Sequence, residues 1–177
     1  MLPRILSRTG CDVRPFPLQT KTDEQTLAAF VWADQTQRLA RLRQGIAAFH
    51  QANQSQSPIR LFPAHLPDEL GDFLRRRVPD GRDPVLIYNT YMTIYLSDRG
   101  SSFASEIGAW AQTQGRPVLW VQWEPDWEGR EPVFGWVRWT VDFWQDGRRH
   151  SWQIGWIHPH GGVGEWLPGL AAMAQRF

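Results

Sequence analysis

This 177-residue chain has one cysteine, one lysine and no long apolar run. Cys11 lacks a partner for an intramolecular disulfide, so the expected setting is a reducing cytoplasm. Met1–Gly10 has no apolar centre of the kind that marks a secretory signal. Nor does any stretch supply the roughly 20 apolar residues of a membrane helix. A formal charge of +1 argues against a dedicated nucleic-acid surface or a polyanionic tail. Lys21 is the lone lysine among many arginines, a bias of composition rather than of ligand choice. A further lack concerns function directly. The chain has 15 glycines, yet no strand-like segment runs into a glycine-rich loop that opens a helix, so the usual phosphate or nucleoside cradle is missing.

What is present reads as one α/β domain over residues 1–177, large enough to bury a core without cross-links. The expected architecture is an open mixed sheet. Parallel strands with crossover helices come first, and a C-terminal antiparallel meander rich in tryptophan follows. Ile5–Val13 supplies a first strand. Thr22–Gln25 has capping-box spacing ahead of Leu27, Phe30 and Val31 at helical period. Asp34 is a second N-cap before the stripe Leu39, Leu42, Ile46 and Phe49, and Gln51–Ser57 is a polar loop. Ile59–Ala64 is a strand, followed by a helix from Pro67 to Arg77. Asp68 and Glu69 sit at its positive end, and Arg75, Arg76 and Arg77 at its negative end.

Val85–Asn89 and Val118–Trp123 are apolar on both alternating faces, as strands covered by helices on each side are. Phe103, Ile107, Trp110 and Ala111 lie between them at helical spacing, which predicts a right-handed parallel crossover. Pro125–Pro132 is too short for another crossover, so Val133–Trp144 must return antiparallel. Asp146-Gly147 marks a hairpin, His150–His158 comes back, and a short helix near Leu170–Arg176 closes the chain. Of the 11 tryptophans, ten lie from Trp110 onward. Trp139, Trp152 and Trp156 fall on apolar faces. Trp136 and Trp144 alternate with Arg138 and Asp142, so they are the candidate partner surface, here for a homodimer.

Several segments are similar to an uncharacterised bacterial family, domain of unknown function 2332. They are Arg8-Thr9-Gly10-Cys11-Asp12, Val31-Trp32-Ala33-Asp34-Gln35 with Arg38 and Arg41-Leu42, Val85–Thr90, and His158-Pro159-His160-Gly161. The resemblance implies a Rossmann-like, methyltransferase-like layout. Longer members carry an upstream strand and glycine-containing loop that look like the cofactor-binding start of an S-adenosylmethionine-dependent methyltransferase. It thus implies that residues 1–177 correspond to the downstream half of such a domain. Where the family has His-Ser after the middle strand, this chain has Asn89-Thr90. In the methyltransferase-like sheet the glycine-loop strand lies beside Val85–Asn89. Without it, Ile59–Ala64 is expected to take its place.

If the parallel strands share a direction, their carboxyl ends gather Asp12, His65, Asn89, Thr90, Tyr91 and Glu124, and the meander returns His158 and His160 to that edge. Under the resemblance Asp12 would meet a ribose, with Asn89, Tyr91 and Glu124 facing an acceptor. The plainer account is that such residues end strands because they satisfy loop amides. His65, His158 and His160 are weak metal candidates, since no HxxxH or CxxC spacing supports them. No metal or other cofactor is expected, and S-adenosylmethionine only if the chain is an enzyme. A nucleophile elbow is absent, Ser101 and Ser102 read as helix caps, and Glu124 with Asp126 predicts no fixed acid–base separation. The sequence thus supports an interaction or scaffold protein, or an enzyme remnant. The alternatives are a small-molecule enzyme at the carboxyl edge and a metal-dependent enzyme.

Overall fold

The computed structural model describes residues 4–16 and 18–177. The chain divides into two compact units, Met1–Leu66 and Pro67–Phe177.

In the first unit, β1 (Arg8–Asp12) and β2 (Ile59–Pro63) form a two-stranded parallel sheet, with Arg8 opposite Ile59 and Asp12 opposite Pro63. A parallel pair requires a long crossover, here α1 (Lys21–Ala29) and α2 (Thr36–Asn53). The N-cap of α1 lies two residues earlier than expected. Thr20 accepts from the Asp23 amide, and the Asp23 carboxylate accepts from the amides of Gln19 and Thr20 at 2.8 Å each. Aspartate thus plays the part usually taken by glutamate in a capping box. Asp34 does not cap α2, whose N-cap is Gln35. That helix runs on through Asn53, whose side chain accepts from the Ile59 amide at 2.8 Å and so closes the turn into β2.

The second unit is a five-stranded mixed sheet in the order β3 (Val85–Thr90), β4 (Val118–Pro125), β5 (Val137–Gln145), β6 (Arg148–Ile157), β7 (Gly164–Trp166). β3 and β4 are parallel, joined through α4 (Ser101–Gln112), and every later pairing is antiparallel. α3 (Leu70–Arg77) lies beside α4, and α5 (Gly169–Ala174) lies against β6. Phe103, Ile107, Trp110 and Ala111 are the buried residues of α4, as their spacing predicts. Phe103 meets Trp120 edge-on at 5.9 Å, and Trp120 in turn stacks on Trp144 at 6.4 Å. Ile107, Val118, Trp120 and Val137 are the most fully buried side chains, each stabilising by roughly 1.5–3 kcal/mol.

Four expectations change here. Ile59–Pro63 pairs with β1, not with β3. Val133–Trp136 is loop rather than strand, with Phe134 97% exposed. Trp144 is only 3% exposed, because both faces of β5 are covered: Val137, Val141 and Phe143 are buried on one and Asp142 and Trp144 on the other, so the Trp144 ring is not exposed as the alternation suggests. Its neighbour Asp142, buried too, is matched by Arg149 at 2.9 Å and Gln122 at 3.1 Å, an internal pairing that alternation alone does not reveal. Lastly, β7 is an unexpected strand. It follows a turn through Gly161 and Gly162, where the His158 amide donates to the Val163 carbonyl.

Candidate functional site

The carboxyl end of β3 is built around a buried carboxylate. Glu124, near the end of β4, accepts from the Asn89 amide nitrogen at 2.7 Å and the Met92 backbone amide at 3.1 Å through one oxygen. Its other oxygen accepts from the Thr93 amide at 3.0 Å and the Thr93 hydroxyl at 2.7 Å. The Asn89 carbonyl oxygen accepts from the Trp120 indole at 2.6 Å, which fixes the orientation of the Asn89 amide. Asn89, Thr93, Trp120 and Glu124 are all buried. Parallel register explains the meeting, since Asn89 and Thr90 lie opposite Gln122 and Trp123, one step before Glu124.

The turn that delivers Met92 and Thr93 is strained. Tyr91 takes φ +53°, an unusual value for an aromatic residue, while its amide donates to the Trp123 carbonyl at 2.7 Å. Gly100, at φ +86° before α4, passes so close that a β-carbon there would lie 2.5 Å from Thr93 Cγ2. Asp98 accepts from the amides of Gly100 at 2.9 Å and Ser102 at 2.7 Å. Hydrogen bonding to Ser102, foremost, holds the Asp98 carboxyl well below its usual range. Asp126 is bound by the Arg130 guanidinium at 2.8 and 2.9 Å and by the Arg130 amide at 3.0 Å. The guanidinium hydrogen bond is the main reason that its pKa is lowered.

Asn89 and Glu124 are therefore brought together as the sequence suggests. Tyr91 joins them through its backbone, its side chain staying 38% exposed. Nothing in the sequence marks Thr93, Trp120 or Gly100, because neither period nor motif reveals a residue that satisfies a distant carboxylate or makes room for one that does. The meander places Ile157 opposite Val137, itself opposite Pro125, so His158 reaches the same edge as Glu124. The His158 and His160 rings lie 5.4 Å apart, and His158 Nδ1 accepts from the His160 amide at 3.2 Å. His65 and Asp12 belong to the other unit. Among the described residues, no three His, Cys, Asp or Glu gather where a metal ion could be held.

Asp12 Oδ1 is also engaged, by the Arg14 amide at 2.7 Å. Next to it, burial and then the Asp12 charge push the Cys11 thiol up. Within each unit, loop amides thus serve the chain's own carboxylates: Asp12 and Asp23 in Met1–Leu66, and Asp98, Glu124 and Asp126 in Pro67–Phe177. An S-adenosylmethionine site needs free donors for the methionine carboxylate and a free acid for the ribose.

Fold and site together define a mixed α/β protein whose Glu124 carboxylate is satisfied internally at the carboxyl ends of β3 and β4. The chain belongs to a bacterial family described as an uncharacterised conserved protein, DUF2332, which matches residues 1–166. No curated protein and no solved structure matches the chain.

Proposed function

We propose that this chain is a cytoplasmic interaction or scaffold unit of methyltransferase-like layout, an enzyme remnant that does not hold S-adenosylmethionine by itself. One observation carries the reading. Within Pro67–Phe177, Asp98, Glu124 and Asp126 occupy loop amides that an anionic ligand would need. A ligand carboxylate would have to displace an internal one, giving up charge-assisted hydrogen bonds worth about 1.5–3 kcal/mol each. Titration calorimetry with S-adenosylmethionine tests it. No heat of binding is expected, and micromolar affinity would refute the reading.

The strained backbone of Tyr91, of a kind often found at active sites, favours a second reading. In it the carboxyl edge is the site of a small-molecule enzyme, with Tyr91 presenting its hydroxyl and Asn89 and Glu124 shaping the turn.

A further inference from the structure

The two edges of the five-stranded sheet are guarded very differently. β7 is three residues long and carries Glu165, and short or charged edges resist pairing with other strands. β3 is six residues, Val-Leu-Ile-Tyr-Asn-Thr, without a charge, a proline or a bulge. Val85 and Tyr91 donate their amides to carbonyls on the β4 side, those of Pro117 and Trp123. Strand alternation then turns the amides and carbonyls of Leu86, Tyr88 and Thr90 the other way. Among the described residues no strand pairs with that edge. Leu86 is 62% exposed and Tyr88 74%, although the run Val-Leu-Ile-Tyr has the two-sided apolar character of an interior strand.

We infer that β3 pairs antiparallel with β3 of a second copy of this chain, joining the two five-stranded sheets edge to edge. The inference rests on the interaction reading above and names its partner. An uncharged edge is self-complementary, because a two-fold axis brings no like charges together. With the axis at Tyr88, Tyr88 faces the second copy's Tyr88 in a hydrogen-bonded pair, and Leu86 faces the second copy's Thr90. All three outward-facing residues are then satisfied, by about six backbone hydrogen bonds. The tyrosine rings meet across the axis, and each Leu86 packs on a threonine methyl. A dimer through Trp136 and Trp144 does nothing for this edge.

Analytical ultracentrifugation of the full chain over a dilution series tests the inference. The wild type should sediment as a dimer at tens of micromolar, as should Trp136→Ser. Tyr88→Lys puts two like charges across the axis at an exposed position and should weaken the dimer about tenfold or more. Leu86→Pro removes an outward amide that β4 does not use, and should act likewise. Circular dichroism would verify that both variants fold, and either one suffices. A wild-type monomer at high micromolar concentration would overturn the inference, as would a folded variant that dimerises like wild type or a dimer lost in Trp136→Ser. Binding of S-adenosylmethionine by a chain that still dimerises through Tyr88 would refute the functional reading and leave the dimer standing.

Discussion

At the residue scale, most acidic groups near the strand ends are committed to the chain's own backbone. Asp126 shows the electrostatic consequence. Its pKa is lowered from 3.8 by Arg130, so the pair stabilises the fold above that value, and the contribution disappears as pH falls from 3.8 toward the folded-state pKa. Comparing urea midpoints of wild type and Asp126→Asn should therefore reveal a gap at neutral pH that closes in acid. A gap independent of pH would contradict this origin. Gly100→Ala should cost about 1–3 kcal/mol in urea unfolding, since it combines a left-handed φ with a collision against Thr93. Glu124→Gln leaves a buried amide among four donors and should cost a similar 1–3 kcal/mol. A neutral result for either would mean that the turn is less tightly specified than its contacts indicate. The sequence showed Asn89 and Glu124 as strand-end polar residues. Their union with Thr93 was not legible, because it depends on parallel register and on a turn at positive φ that no residue type announces.

At the element scale, period and turn chemistry made most of the fold legible. The helix carrying Phe103, Ile107, Trp110 and Ala111, the strands it connects and the Asp146-Gly147 hairpin all appear where pattern puts them. Both hairpin residues take positive φ, as a tight turn of this hand demands. Misreadings cluster where tertiary context overrides local pattern. Val133–Trp136 alternates like a strand, but β5 begins pairing only at Val137. β7 is too short for any period to be seen, and it depends on Gly155, where a β-carbon would lie 2.5 Å from the Glu165 carbonyl oxygen. The same gap lets Trp166 approach Trp139, their rings 4.8 Å apart. Gly155→Val should accordingly release β7 and leave β3, β4 and β5 paired. Native-state hydrogen exchange would show this as lost protection confined to β7 and the neighbouring edge of β6. Loss of protection across the whole sheet would contradict the local role given to Gly155.

At the scale of the whole molecule, the unit Pro67–Phe177 satisfies its Glu124 carboxylate internally, while among the described residues no strand pairs with the outer edge of β3. Ten of the 11 tryptophans lie from Trp110 onward, so indole emission reports on this unit almost alone. Membership of DUF2332 gives the chain a lineage without an activity, which makes direct contact with the cofactor the informative experiment. Urea unfolding followed by tryptophan emission, with and without about 1 mM S-adenosylmethionine, provides it. A ligand bound at about 10 μM would stabilise the native state by about 2.7 kcal/mol at that concentration. Superimposable transitions are expected. A midpoint raised by the cofactor would contradict the proposed function.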